Sequence, residues 1–164
     1  MANVSLTNLV SNVGVVATDV TGVGTARAYL AACEYGDDKA IFGFGDTVSM
    51  TNLVSNVGVV ATDTTGVGTA RQQPSACGFG YDKGIFGYGY TGSASSLTNL
   101  VSNVGVVATD TTGVGTARWG LAATQYGNDK GIFGYGVGNV SMTNLVSNSG
   151  VVSSDVTGVG TGRY

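Results

Sequence analysis

Along this chain the apolar residues fall in short alternating runs, broken every few positions by Gly, Asn, Asp or Thr, and nowhere in stripes three and four residues apart. Alternation with a period of two is the signature of strands, so the pattern predicts an all-β chain without helical segments. In the first complete unit it predicts four short strands, at 29–35, 40–44, 49–55 and 58–63. Within the run Ile41-Phe42-Gly43-Phe44-Gly45, strict alternation puts Phe42 and Phe44 on one face and the two glycines on the other. Phe86 and Tyr88, then Phe133 and Tyr135, repeat the arrangement. A face of large rings on one sheet can pack into a glycine-lined face on the next, which gives stacked sheets a continuous core.

The same wording returns at long range. Leu6, Met50, Leu97 and Met142 are equivalent, with spacings of 44, 47 and 45 residues, a period that marks a repeat architecture. A first half-unit opens on Thr-Asn-Leu-Val-Ser-Asn at 7–12 and closes on Arg27; its copies close on Arg71, Arg118 and Arg163. A second half-unit, Asp-Lys-(Ala/Gly)-Ile-Phe-Gly-(Phe/Tyr)-Gly, occupies 38–45, 82–89 and 129–136. Four first halves and three second halves make about 3.5 repeats in a single repeat domain: a half-unit at 4–27 and repeats at 28–71, 72–118 and 119–164.

This order of signals, an Arg before a small-residue strand, a turn into Lys-Gly-Ile-Phe-Gly-Tyr-Gly, a variable loop and two further strands, resembles the kelch repeat of β-propellers. The resemblance implies a β-propeller-type repeat of four-stranded antiparallel blades. The chain departs from the kelch pattern where Gly-(Phe/Tyr)-Gly replaces a double glycine and where the later Tyr and Trp of the blade are missing. The wording of the copies is also similar to repeat arrays of viruses of aquatic bacteria. Kelch-like rings typically hold six or seven blades, and an open arc exposes strand edges and an apolar face at each end. A homo-oligomer, most simply two chains completing one ring, is the expected remedy.

Composition narrows the function. Charged residues make up 10% of the 164, and the net charge of −3 comes with no basic cluster, so neither nucleic acid nor an anionic membrane is an expected partner. The N-terminus lacks the charged and apolar segments of a signal peptide, and no run reaches the roughly 18 apolar residues of a membrane span. The expected location is therefore cytoplasmic or within a virus particle. There is no His, which removes the commonest general base and metal ligand together. The His ligands of kelch-fold copper oxidases have no counterparts here, and no cofactor, metal or enzymatic activity is expected. A hydrolase or lyase built on Glu34 and Asp37 is the outlying alternative. Cys33 and Cys77, at equivalent positions, are read as buried thiols.

All seven Lys and Arg recur with the repeat. Asp19, Asp63, Asp110 and Asp155 stand eight residues before Arg27, Arg71, Arg118 and Arg163. A charge used once per unit is expected to satisfy loop carbonyls or to form an Asp–Arg pair, so truncating Arg71 should cost about 1–3 kcal/mol. The copies differ mainly in two places. One follows the Arg, at Ala28-Tyr29-Leu30, Gln72-Gln73-Pro74 and Trp119-Gly120-Leu121; the other follows the aromatic strand, from Asp46, Tyr90 and Val137 onward. In a four-stranded meander both segments lie at the same end. Tyr29, Asp46, Gln72, Gln73, Tyr90, Thr91, Trp119 and Asn139 are thus candidate ligand-binding residues of a module for a protein or a glycan. The alternative is a structural subunit of an assembly such as a virus particle or tail fibre.

Overall fold

The computed structural model of the chain describes residues 2–164, and among them no helix is present. Nine strands form three antiparallel sheets of three. The first holds β1 (Ala31–Tyr35), β2 (Lys39–Gly43) and β3 (Thr51–Val54). The second holds β4 (Ser75–Phe79), β5 (Lys83–Tyr90) and β6 (Ala94–Val101). The third holds β7 (Ala122–Tyr126), β8 (Lys130–Gly134) and β9 (Thr143–Val146). Each first hairpin turns on two successive residues with positive φ, Gly36–Asp37, Gly80–Tyr81 and Gly127–Asn128. Two positive φ values are the turn that matches the right-handed twist of paired strands.

The expected four-stranded blade is corrected to a three-stranded sheet with a loosely attached outer segment, and the described residues close no ring of sheets. Along the backbone the outer segment pairs with β3 at two isolated bridges, Val54↔Val60 and Thr51↔Thr64. Between these bridges β3 advances three residues and its partner four, so one residue is left over and the ladder breaks. The same offset recurs at Val101↔Val107 with Thr98↔Thr111, and at Val146↔Val152 with Thr143↔Val156. Half-unit 4–27 carries it too, at Val10↔Val16 and Thr7↔Val20.

The expectation that Phe42 and Phe44 share a face is also corrected. β2 ends at Gly43, and Phe44 takes a φ of 62°, as Tyr88 and Tyr135 take 62° and 64°. Positive φ at this residue breaks the period of two and turns its ring to the face opposite Phe42. Each sheet consequently offers one ring in each direction. Phe86 of the second sheet packs on Gly43 and meets Phe44 edge-on at 5.1 Å; Phe133 of the third packs on Gly87 and meets Tyr88 at 5.2 Å.

These contacts organise two cores. Between the first and second sheets lie Cys33, Tyr35, Ile41, Phe44, Phe86, Val101 and Val107. Between the second and third lie Cys77, Phe79, Ile85, Tyr88, Leu121, Phe133, Val146 and Val152. Both cysteines are free and buried, and desolvation pushes each thiol up to about 12. A cavity of about 390 Å³ is lined by residues of all three leading strands, among them Glu34, Cys77 and Gln125.

The glycines opposite the rings are required by space. A Cβ on Gly43 would stand 2.7 Å from Phe86 Cζ, and one on Gly87 2.8 Å from Phe133 Cζ, whereas at Gly134 the nearest atom is Thr143 Cγ2 at 3.3 Å. Gly43→Ala and Gly87→Ala should each cost about 1–3 kcal/mol through overpacking. Gly134→Ala should cost markedly less. Urea denaturation of the three variants checks this, and equal losses at all three sites would contradict the packing scheme.

Candidate functional site

At every boundary between units an Arg is locked by the same set of partners. Arg71 Nε donates to Tyr88 O at 2.8 Å, Nη1 to Thr69 O at 3.2 Å and Nη2 to Asn99 Oδ1 at 2.6 Å. Asp110 Oδ1 lies 3.9 Å from Nη1, and the guanidinium carbon sits 4.0 Å above the Phe44 ring of the preceding sheet. Arg27 repeats the set with Phe44 O, Thr25 O, Asn52 and Asp63, and Arg118 with Tyr135 O, Thr116 O, Asn144 and Asp155. The expected bonding of these Arg to loop carbonyls and to acids of the Asp63 register is present. Each acid, however, pairs with the Arg that precedes its unit, not with the one eight residues after it.

Two partners escaped the sequence reading. Asn52, Asn99 and Asn144 bridge Arg to Asp, donating through Nδ2 to the carboxylate at 2.9 Å while Oδ1 accepts from the guanidinium. Thr25, Thr69 and Thr116 donate backbone N–H and Oγ1–H to the same carboxylates. Their invariance within Thr-Ala-Arg and Thr-Asn-Leu-Val was the available signal. At the two outer copies the set is incomplete. Asp19 accepts from Asn8 at 2.8 Å, and Arg163 donates to Tyr135 Oη at 2.5 Å; among the described residues neither enters an ion pair.

Burial pulls the Arg71 guanidinium down to about 10, against the attraction of Asp110. Hydrogen bonds from Asn52 and Thr25 hold Asp63 below the usual carboxylate range, and those from Thr116 and Asn144 do the same for Asp155. At Asp110 desolvation pushes upward, but the bonds from Thr69 and Asn99 together outweigh it. A carboxylate depressed in the folded state stabilises fully above its unfolded value, near 3.9, and the contribution is lost as pH falls through the folded value. Stability should therefore drop below about pH 4, and Asp63→Asn should flatten that part of the profile. Denaturation midpoints between pH 7 and pH 2.5 check it; an unchanged slope in the variant would contradict the role of Asp63.

The two variable segments meet at one end of each sheet. Asp46 N–H donates to Ala28 O at 3.1 Å, Gln72 and Tyr90 exchange backbone bonds at 3.0 and 2.8 Å, and Val137 N–H donates to Trp119 O at 3.0 Å. Adjacent units are joined along this face by Gln73 N–H to Tyr29 O at 2.9 Å and Gly120 N–H to Gln73 O at 3.2 Å. Trp119 and Tyr90, from neighbouring units, stand edge to face at 5.0 Å. Tyr29 is 56% exposed, and Gln72, Gln73, Tyr90 and Trp119 are half-buried. Thr91 and Asn139 are exposed at loop tips. Asp46 is engaged locally, its carboxylate accepting from Ala28 N–H at 2.7 Å and from Asn3 Nδ2 at 2.6 Å. Among the described residues no three His, Cys, Asp or Glu side chains converge as a metal site, and no helix is long and apolar enough to cross a membrane.

No family model matches the chain, and no curated protein matches it either. Several solved structures are similar in fold, and one of them is an enzyme. It is described as a novel fungal alcohol oxidase with catalytic diversity among the AA5 family, in complex with copper. The match has a TM-score of 0.53 at 11% identity and covers 77% of this chain, which spans 30% of that one. At such identity the likeness extends to the arrangement of strands alone.

Proposed function

We propose that the chain is an arc of a kelch-like β-propeller that works as a non-enzymatic binding module, with the variable face as its ligand surface. Convergence of β1, β4 and β7 on one cavity supports the radial arrangement, as does the likeness in strand arrangement. The observation that carries the function is the Tyr90–Trp119 pair, assembled across a unit boundary from the segments in which the copies differ. Rigid rings set on a backbone held by cross-unit hydrogen bonds are preorganised, so little ordering entropy opposes binding. With the Gln72 and Gln73 amides alongside and Asp46 already engaged, the face offers apolar rings and neutral hydrogen-bonding groups, which suits a glycan better than a charged peptide. A glycan array probed with the wild type, Trp119→Ala and Tyr90→Ala tests the reading. Saturable capture that weakens about tenfold or more in both variants is expected; capture unaffected by either would overturn it.

The second reading, a structural subunit of an assembly such as a virus particle, has its own support. Val57, Val59, Val104, Val106 and Val151 are between 63% and 71% exposed, so a row of apolar hairpin tips recurs along the outer edge. Such a row is suited to lateral contacts between chains.

A further inference from the structure

We infer that the variable face holds a linear, uncharged polysaccharide lengthwise across successive units; this rests on the reading of that face as the ligand surface. Tyr29, Gln73 and Gly120 occupy equivalent positions in the three repeats, and their backbones are joined in series. Gln73 N–H donates to Tyr29 O at 2.9 Å, and Gly120 N–H to Gln73 O at 3.2 Å. All three take a positive φ, of 59°, 53° and 65°. Only the Gly does so without a steric cost. A shared backbone conformation sends the Cα–Cβ bond the same way in each unit, so Tyr29 and Gln73 present their side chains in one register. Gly120 instead leaves room for a ring, since a Cβ there would stand 2.5 Å from Tyr164 Cε2. Tyr29 at the first step of this ribbon and Tyr164 over the third are 56% and 69% exposed. The Tyr90–Trp119 pair is held beside the middle step by the backbone bonds of Gln72 with Tyr90.

Spacing, chemistry and charge together select the ligand. Backbones joined by hydrogen bonds lie about 5 Å apart, close to the advance of one pyranose along an extended chain, so one step of the ribbon matches one sugar. Aromatic rings offer apolar faces to the C–H side of a pyranose. The Gln72 and Gln73 amides each donate and accept, which suits hydroxyls that do the same. The backbone groups that link Tyr29, Gln73 and Gly120, and those that link Gln72 with Tyr90, are engaged with one another, so an extended peptide cannot pair with them as an added strand. Asp46 is the one charged residue of the variable segments, and its carboxylate accepts from Ala28 N–H and Asn3 Nδ2. Arg27, Arg71 and Arg118, which precede those segments, are buried in the junctions. The segments thus hold out no free charge to a charged polymer.

Native electrophoresis of the full chain in gels cast with hydroxyethyl cellulose, xylan or glucomannan tests for the polymer. Calorimetry with oligosaccharides of the retarding polymer, from disaccharide to hexasaccharide, then reads the length of the site. Retardation by at least one of the three is expected, with the tetrasaccharide bound at least tenfold more tightly than the disaccharide. Tyr29→Gly is the decisive variant: Tyr29 is exposed and Gly adopts its positive φ freely, so the urea midpoint should not fall. It should weaken the tetrasaccharide about tenfold and leave the disaccharide, held by Tyr90 and Trp119, unaffected. Trp119→Ala should abolish binding of both. Affinity that is independent of chain length, or indifferent to Tyr29→Gly, while still lost in Trp119→Ala, would overturn the lengthwise site and leave the ligand face standing. No retardation in any of the three gels, or retardation only by the charged carboxymethyl cellulose, would overturn it as well.

Discussion

Replacing Arg71 by Ala is expected to destabilise the protein by about 3–5 kcal/mol, the range seen when one member of a buried charged pair is removed. Arg71 is fully buried, and its loss strands Tyr88 O and Asn99 Oδ1 without a donor and leaves Asp110 without its counter-charge. Structure thus raises the figure expected from sequence, because the side chain also fills the space above the Phe44 ring. Arg71→Lys should recover little: one ammonium cannot reproduce a planar fork that serves three acceptors in different directions. Arg163, exposed and bonded to Tyr135 Oη, provides the control, and its truncation should stay within about 0.5 kcal/mol. Urea denaturation of Arg71→Ala and Arg163→Ala checks the contrast. Equal effects would mean that the junction network does not hold the units together.

Phe86→Ala should cost about 3–5 kcal/mol, since it empties a site with no solvent access between Gly43 and Phe44 and the surrounding sheet cannot collapse to fill it. Phe42→Ala, at the equivalent position of the first sheet, removes a ring that is only half-buried and should cost about 1 kcal/mol. The comparison isolates packing from chemistry, because the residue type and its immediate neighbours, Ile before and Gly after, are the same. Thermal or chemical denaturation reads it, and similar losses at both positions would contradict a core located between sheets.

Much of this architecture was legible in the amino-acid sequence. Spacing of Leu6, Met50, Leu97 and Met142 set the repeat, and alternation gave the all-β class and the first three strands of each unit. The role of Phe44 was not legible, because alternation assumes extended backbone and nothing local announces a positive φ at a bulky residue; only the Gly that follows it hints at a break. The outer segment failed as a strand for a similar reason, since one extra residue in a bulge is invisible until its pairing partner is known. At the junctions the sequence exposed the periodic Arg and Asp, but proximity along the chain favoured Asp63 with Arg71. The fold instead joins Asp63 to Arg27, and Asn52 and Thr25 entered the set only through that closure. On the variable face, differences between copies marked two segments that the fold brings together at one end of each sheet. That Tyr90 and Trp119 meet across a unit boundary while Asp46 is already engaged depends on packing that no single copy encodes.

Trp119 is the only tryptophan of the chain, and it stands on the face proposed to bind ligand. Titrating the protein with the glycans that an array selects, while following Trp119 emission, therefore reads that face without a label. The account predicts a saturable change in Trp119 emission that follows binding and disappears in Tyr90→Ala at unchanged stability. Tight binding of a ligand that leaves Trp119 emission untouched and is indifferent to Tyr90→Ala would contradict it.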